Sequence, residues 1–269
     1  MEITVLCHGD AFNLNTWSNM PYFLTKGLEE CGYVVNRIDV STTTGMERYV
    51  QALYNRTVVR LIRLIYPQTK YDYSRSFFRR HILNKRIKKI VEKYNETDVY
   101  INMSYDFPVC FFTKKPVINI CDWTLEFEIL HNQNKTIDRF EMHQVILEEK
   151  ILRNSTMNVI WRRDCREILC KRFNNIYIGT KTINAVNINY SLPAKNEIIG
   201  KKISSNEILF LGAKRYVMGA SVFAQAISEL VEEGYNIHGS IIGVKEDELN
   251  CNPEMTSQIR FFGYLDKND

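Results

Sequence analysis

The chain has 269 residues, of which 45% are hydrophobic and 25% charged, and its formal net charge is +4. This composition is typical of a folded globular protein and excludes a disordered one, and the length suits one large or two modest domains. No stretch approaches the roughly 20 apolar residues of a membrane span, and one basic patch without a recognition motif argues against nucleic acid as a partner.

The N-terminal part of the chain has the pattern of a strand, a loop, a helix and a second strand. An apolar run at 2–7 is followed by the loop His8-Gly9-Asp10. Apolar residues then recur at helical spacing from Trp17 to Cys31, before Gly32 and a second apolar run at 33–40. This order predicts the opening βαβ unit of a doubly wound parallel sheet.

The middle of the chain continues to alternate between helical and strand patterns. We expect helices at 46–65, 74–94 and 138–153, and strands at 99–103, 117–121, 157–160 and 176–178. Asp164, followed three residues later by Glu167, has the form of a capping box and predicts that another helix starts there. The alternation predicts an α/β domain over residues 1–188.

A second α/β pattern begins after a polar stretch without periodicity at 189–204, which we interpret as a linker. Strands are expected at 208–211, 237–243 and 259–263, with a loop from Gly212 to Gly219 and a helix after it. The second domain is therefore expected to start at residue 205. Residues 205–269 are few for a two-sided α/β core.

Several short motifs occur in an order that resembles a known family. The run at 183–187 resembles a strand-end "pNGVD" signature, and Phe210–Gly219 resembles an "FVGR…KG" loop. Ile241-Ile242-Gly243 resembles an "IVG" strand end, and Arg260–Leu265 resembles "V-x-F-L-G-x-L". Pro116–Asp122 stands where members of the same family often have an apolar strand that ends in His-Asp. Together these motifs resemble the retaining GT-B glycosyltransferases of glycosyltransferase group 1, the family 4-like enzymes.

The resemblance implies an α/β, GT-B-like fold with two Rossmann-type parallel-sheet domains, the second incomplete. In that family the first domain holds the acceptor and the second holds the nucleotide. The pair of glutamates seven residues apart that grips the donor sugar is expected past Asp269. If the chain ends naturally at Asp269, we expect little or no transferase activity from it alone.

The implied activity is transfer of a sugar from a nucleotide-sugar donor to a saccharide or lipid-linked acceptor, with retention, in polysaccharide or glycan biosynthesis. Two alternatives stay open. One is a non-catalytic GT-B-like relative that binds a ligand or acts as a partner subunit. The other is an unrelated Rossmann-type ligand-binding protein.

The resemblance places a diphosphate-binding loop after the strand at 208–211. It includes Gly212, but the two cations of the family pattern are replaced by Ala213 and Met218. Lys214 and Arg215 lie close enough in sequence to reach the same phosphate, because a loop that enters a helix can bind anions. The alternative is that both are a solvated pair on a surface loop.

The acceptor site is expected at the carboxyl edge of the first sheet, where open α/β sheets bind ligands. His8, Gly9 and Asp10 are candidates for contact with sugar hydroxyls, or else form an ordinary turn. Asp122 is the candidate catalytic residue, as acceptor of a proton or hydrogen bond from the acceptor hydroxyl, and Trp123 is a candidate to stack on a sugar. The alternative for Asp122 is a helix N-cap.

Arg162 and Arg163 follow the strand at 157–160. Either arginine would meet an anionic group if it faced the cleft. A solvated loop is the alternative for both residues.

A basic run at 75–93 has Glu92 as its only acid. A basic amphipathic helix beside exposed aromatic residues is suited to docking on an anionic membrane. The candidate membrane-facing residues are Arg79, Arg80, Lys85, Lys88 and Lys89. The alternative is a solvated basic face on a helix packed against the sheet.

The seven cysteines are scattered, and none forms a C-x-x-C pair. Cys165 and Cys170 have no matching pair of histidines, so we expect no metal and no cofactor. Scattered free cysteines favour a reducing cytoplasm as the location of the protein. The basic run at 75–93 adds peripheral contact with the inner face of the membrane to this prediction.

Overall fold

The computed structural model describes residues 1–41, 45–69, 71–172, 205–212, 216–249 and 253–265. The chain divides into two units, Met1–Asn187 and Ile188–Asp269. Each unit contains its own parallel sheet, as expected for two Rossmann-type domains. The predicted strand at 176–178, the motif at 183–187, the linker at 189–204, and Ala213, Lys214 and Arg215 lie outside the described residues.

The first unit contains a five-stranded sheet in the order β2-β1-β3-β4-β5. All of its pairings are parallel. The strands are β1 (Glu2–Cys7), β2 (Val34–Asp39), β3 (Val99–Asn102), β4 (Val117–Cys121) and β5 (Met157–Ile160). The strands form where the sequence predicts them, because a parallel sheet covered on both faces favours mainly apolar strands.

Helices connect these strands. They are α1 (Met20–Glu30), α2 (Gly45–Tyr54), α3 (Arg60–Ile65), α4 (Phe77–Lys93), α5 (Leu125–Phe127), α6 (Arg139–Asn154) and α7 (Arg163–Arg172). A π-helical turn, Asn55–Val59, joins α2 to α3, and another, Glu128–Asn132, follows α5. The helix expected from Asp164 begins at Arg163, and the Asp164 carboxylate pairs with Arg162.

Two apolar cores cover the two faces of the first sheet. Alternate residues of β1, Ile3 and Val5, pack on one face, with Trp17 and Leu24 partly buried against them. Leu6 points to the other face and packs with apolar residues of α4 such as Ile87. The fold therefore buries β1 on both sides and places its carboxyl end at the centre of one edge.

A buried ladder of asparagines links the last three strands. Asn102, Asn119 and Asn158 are fully buried and stand directly opposite one another in register. The Asn102 amide donates to Asn119 Oδ1 at 2.9 Å, and the Asn119 amide donates to Asn158 Oδ1 at 2.7 Å. Buried amides stabilise only when they are paired, so this ladder specifies the strand register.

Helix α4 turns two of its predicted membrane-facing cations inward, which corrects the sequence prediction for them. Arg80 is 8% exposed and donates to the Asp106 carbonyl and to Gln144 Oε1, each at 2.6 Å. Arg79 lies 3.5 Å from the Glu47 carboxylate, with 12% of its side chain exposed. The cations of α4 are distributed around the helix, so some of them lie on the side that packs against the rest of the unit. Arg79 and Arg80 lie on that side. Lys85, Lys88 and Lys89 remain exposed.

The second unit contains a three-stranded parallel sheet in the order β6-β7-β8. Its elements are β6 (Glu207–Leu211), α8 (Val217–Glu232), β7 (His238–Ile242) and β8 (Ile259–Gly263). Ala220 and Ala224 of α8 are fully buried. These elements follow the order that the sequence predicts.

Candidate functional site

The order of the first sheet reverses at β1, because the chain moves to β2 on one side and then to β3 on the other. Ligands of open α/β sheets bind in the crevice at such a switch point, outside the carboxyl ends of the strands. His8, Asp106 and Asp122 follow β1, β3 and β4 at this edge. The predicted acceptor residues therefore lie at the edge where a ligand is expected.

The turn after β1 is built around Gly9, whose φ of +93° is in the left-handed region. The Gly9 N–H donates to Asp39 Oδ1 at 2.9 Å and to Ser41 Oγ at 3.1 Å. A Cβ at Gly9 would also lie 3.1 Å from Thr16 Cγ2. Turn geometry therefore accounts for this glycine, and the Asp10 carboxylate stabilises the same loop by accepting from the Phe12 N–H at 2.9 Å.

The His8 residue is exposed as a whole, but its ring packs against the Phe107 ring, with the centroids 4.7 Å apart. Its pKa is lowered, chiefly because neighbouring protein atoms displace water, although Asp106 acts in the opposite direction. Arg79 lowers the pKa further. A neutral imidazole both donates and accepts hydrogen bonds, which suits contact with a sugar hydroxyl better than with an anion.

The loop between β1 and α1 contains a left-handed segment that the sequence pattern does not indicate. Trp17, Ser18 and Asn19 have φ values of 39°, 54° and 73°. Consecutive non-glycine residues rarely adopt this region, and such strain is concentrated at functional sites. The segment brings the Trp17 ring onto Trp161, with centroids 5.6 Å apart and planes inclined by 24°. The predicted helix accordingly starts later, at Met20.

Asp122 ends β4 with a partly buried carboxylate. Burial raises its pKa above the ordinary value. The N-cap alternative is wrong, because the Thr124 hydroxyl accepts from the Phe127 N–H at 3.2 Å and caps α5 instead. No described residue donates a hydrogen bond to the Asp122 carboxylate.

Trp123 and Arg162 lie together beside Asp122. The Arg162 guanidinium is 5.8 Å from the Trp123 ring centroid and 4.9 Å from that of Phe127. It also donates to Asn132 Oδ1 at 2.7 Å and to the Asp164 carboxylate at 3.0 Å. Arg162 is therefore held in place by these contacts although its side chain is 41% exposed, whereas Arg163 is 81% exposed and pairs with Glu167.

Glu148 on α6 is a titratable group near this edge that sequence reasoning missed. Its pKa is raised to about 8, first by burial and then by the negative charge of Asp106. The Leu125 N–H donates to its carboxylate at 2.8 Å. Because the next two residues, Glu149 and Lys150, are also charged, the sequence predicts that Glu148 is solvent-exposed. Only its position on the inner side of α6 distinguishes Glu148 from these neighbours.

The carboxyl edge of the second sheet is marked by glycines. Gly212, Gly243 and Gly263 stand at the ends of the three strands. A Cβ at Gly212 would lie 2.6 Å from the Phe210 ring, so packing within the strand accounts for this glycine without a ligand. Met218, which stands where the family pattern has a lysine, is 85% exposed.

A cavity of about 400 Å³ lies at the opposite edge of the second sheet. Its lining includes His238, Gly239 and Ile259, at the amino ends of β7 and β8. It is therefore not at the edge where Rossmann-type sheets bind nucleotides.

No cluster of His, Cys, Asp and Glu in the described part is arranged to hold a metal ion. No described helix combines the length and apolar character needed to cross a membrane. The expectation of no metal and no cofactor stays a prediction.

Two Rossmann-type parallel sheets, one in each unit, are what a GT-B-like α/β fold requires. No family model matches this sequence, and no curated protein matches it. Among solved structures, a glycosyltransferase from Rickettsia africae ESF-5 is similar over 98% of this chain and 68% of its own, with a TM-score of 0.51 and 15% identity. At that identity the similarity shows the fold alone, and it supports the predicted GT-B-like architecture.

Two further structures match with lower TM-scores. A UDP-N-acetylglucosamine 2-epimerase described as putative, from Listeria monocytogenes, matches over 98% of this chain and 69% of its own, at 12% identity and a TM-score of 0.49. The glycosyltransferase SnogD from Streptomyces nogalater matches over 98% of this chain and 72% of its own, at 11% identity and a TM-score of 0.45.

Proposed function

We propose that this chain is a glycosyltransferase of the GT-B type, which transfers a sugar from a nucleotide-sugar donor to a saccharide or lipid-linked acceptor with retention. We place it in the cytoplasm, in polysaccharide or glycan biosynthesis. The observation that carries the proposal is the Asp122 carboxylate, which is partly buried at the carboxyl edge and is not used to cap a helix.

Asp122 acts on the acceptor in this proposal. Retention without a covalent intermediate requires the acceptor hydroxyl to attack the anomeric carbon from the face that the nucleoside diphosphate leaves, as the bond between sugar and diphosphate breaks. The hydroxyl proton becomes acidic in this step, and a carboxylate with a raised pKa is a better base for it than an ordinary aspartate. His8 ends a strand two places away, at a lateral distance of about 10 Å, which suits contact with another hydroxyl of the same ligand. Trp123 supplies an apolar surface for the sugar ring.

The second unit binds the donor in this proposal. Negative charge develops on the nucleoside diphosphate as the glycosidic bond breaks, and backbone N–H groups and cations must stabilise it. Gly212 and the start of α8 lie at the carboxyl edge, where N–H groups point toward a ligand. We propose Lys214 and Arg215 as the cations that contact the diphosphate.

A second candidate function is supported by Met218. Its apolar side chain replaces a phosphate-binding lysine of the family pattern, so the scaffold is also suited to binding a sugar or nucleotide, or a partner subunit, without turnover. A nucleotide-sugar that binds this protein without transfer or hydrolysis would favour that reading.

The test is a transfer assay with the full chain, a panel of labelled nucleotide-sugars, and saccharide or lipid-linked acceptors. Asp122→Asn keeps the shape of the side chain but removes the base, so we expect kcat/KM to fall by about 10²-fold or more. Glu30→Gln, at the end of α1 where the carboxylate is exposed, is the matched control and should keep full activity. The anomeric configuration of the product, read by NMR, tests retention.

Equal rates for Asp122→Asn and the parent protein would contradict the role of Asp122. Binding of donor without product or free nucleotide would replace the transferase proposal by the non-catalytic one. Calorimetry with each nucleotide-sugar separates these outcomes, because it measures binding without requiring turnover.

A further inference from the structure

The helical segment Gly45–Ile65, formed by α2, the π-helical turn and α3, exposes large apolar side chains. Met46 is 79% exposed, Leu64 is 74% exposed and Ile65 is 73% exposed. Tyr49, Leu53 and Leu61 are also exposed. Single exposed apolar residues are ordinary, but a contiguous set on one segment marks an interaction site.

The exposed residues follow helical spacing. Met46, Tyr49 and Leu53 are separated by three and four positions, and Leu61, Leu64 and Ile65 repeat this kind of spacing after the π-helical turn. Residues at such intervals lie on the same face of a helix. The segment therefore presents one apolar face along both of its helices.

The opposite face anchors the segment to the first unit. Val59 and Ile62 are buried and pack with Tyr71. Glu47 is buried and lies 2.8 Å from the Arg86 guanidinium of α4. The apolar face is thus held outward by contacts on the other side.

The charges of the segment are all of one sign at its surface. Arg56, Arg60 and Arg63 are exposed, and the only acid within Gly45–Ile65 is the buried Glu47. An anionic lipid bilayer matches this combination, because its phosphates attract arginines and the acyl layer beneath accepts apolar side chains.

A second copy of the chain matches the surface poorly. In a symmetric dimer the same patch meets itself, so Arg56, Arg60 and Arg63 would oppose their own copies. Helix α4 contacts the segment through Arg86 and Glu47, and it adds further cations, since Lys85, Lys88 and Lys89 line an exposed groove whose one acid is Glu92.

We propose that Gly45–Ile65 docks the first unit on an anionic lipid bilayer, with Leu61, Leu64 and Ile65 entering the acyl boundary. Arg56 and Arg60 contact the headgroup phosphates. The proposed membrane contact is therefore Gly45–Ile65, and not the basic run at 75–93 that the sequence analysis predicts. The docking does not rest on the transfer reaction, and it would hold a lipid-linked acceptor near the site.

The experiment is vesicle sedimentation with the full chain. Phosphatidylcholine vesicles serve as the neutral surface and phosphatidylcholine with phosphatidylglycerol as the anionic one. We expect binding to the anionic vesicles only, weakened by added salt. Leu61→Gln/Leu64→Gln/Ile65→Gln and, separately, Arg56→Gln/Arg60→Gln/Arg63→Gln should each weaken binding about tenfold or more.

The matched control is Lys114→Gln/Lys115→Gln/Lys150→Gln, which removes the same charge from exposed positions outside the segment and should bind as the parent does. Circular dichroism and thermal melting confirm that each variant is folded. Equal binding by all variants, equal binding to neutral vesicles, or no binding would overturn the proposal. The proposal would also be overturned if light scattering showed that the parent protein is a dimer and that Leu61→Gln/Leu64→Gln/Ile65→Gln is a monomer. None of these readouts depends on transferase activity.

Discussion

Trp17 and Trp161 stack with their ring centroids 5.6 Å apart, although they follow β1 and β5, which lie three places apart in the sheet. Strands at that separation are about 14 Å apart, so the turn after β1 extends far enough to meet a residue that follows β5. Both rings pack against the core that contains Ile3 and Val5, and the stack ties the left-handed turn to the far end of the sheet.

The first prediction is that the two tryptophans stabilise the unit cooperatively. Trp17→Leu and Trp161→Leu should each destabilise the protein, and the double variant should lose about 1 kcal/mol less than the sum of the two, because one stack is counted twice. Urea unfolding followed by circular dichroism measures the cycle. Strictly additive losses would show that the stack contributes nothing of its own.

The second prediction concerns the asparagine ladder. Asn119→Ala removes the central amide, leaving Asn102 and Asn158 without their cross-strand partner in a dry interior, so we expect a loss of about 2–4 kcal/mol. Asn95→Ala, at an exposed position before β3, should change stability by less than about 0.5 kcal/mol. Chemical denaturation of the three proteins gives the comparison, and a near-neutral Asn119→Ala would contradict the importance of the ladder.

The third prediction follows from the inward position of Arg80. Arg80→Met removes the donor to the buried Gln144 Oε1 and to the part-buried Asp106 carbonyl, so we expect a loss of about 2–4 kcal/mol. Lys88→Gln on the exposed side of the same helix should be nearly neutral. Thermal melts decide the matter: equal shifts for both variants would mean that Arg80 is not structurally important.

The fourth prediction is a pH dependence that arises at Glu148. Its pKa rises from 4.5 to about 8 in the folded protein, so the folded state holds a proton that the unfolded state releases between these values. The stabilising contribution is complete below pH 4.5 and is lost as the pH rises through about 8. Glu148→Gln keeps an acceptor for the Leu125 N–H and should lose less stability than the parent between pH 5 and 8.

Melting temperatures measured across that range test this prediction. Glu167→Gln, which changes an exposed carboxylate on α7, is the control and should follow the parent curve. Parallel curves for the parent and Glu148→Gln would show that Glu148 ionises normally in the folded protein.

Much of the secondary structure is predictable because it depends on local periodicity. Strands β1, β3, β4 and β5 are short, mainly apolar runs, as expected when both faces of a sheet are covered, whereas the edge strand β2 contains Asn36, Arg37 and Asp39. The end of α1 is marked by Gly32, whose φ of +84° suits a helix C-terminus. The start of α1 is misplaced because Trp17 belongs to a left-handed turn, which helical spacing cannot distinguish from a first helical turn.

The candidate site is less predictable, because its features depend on contacts between distant residues. Asp122 can be located at a sheet edge from its place after an apolar run. Its raised pKa and the capping by Thr124 follow from the packing of α5. Glu148 is indistinguishable in sequence from the charged residues beside it, since only the position of α6 decides which side is buried.

The sequence by itself determined the alternation of strands and helices and the edge where Asp122 and His8 lie, because apolar periodicity reports which residues face a core. The GT-B-like class was predicted from the resemblance of its short motifs to that family. Only the tertiary structure decided the direction of individual polar side chains. Arg80 turns inward, Gly45–Ile65 holds its apolar face outward, and Trp17 reaches Trp161, since each depends on a partner far away in sequence.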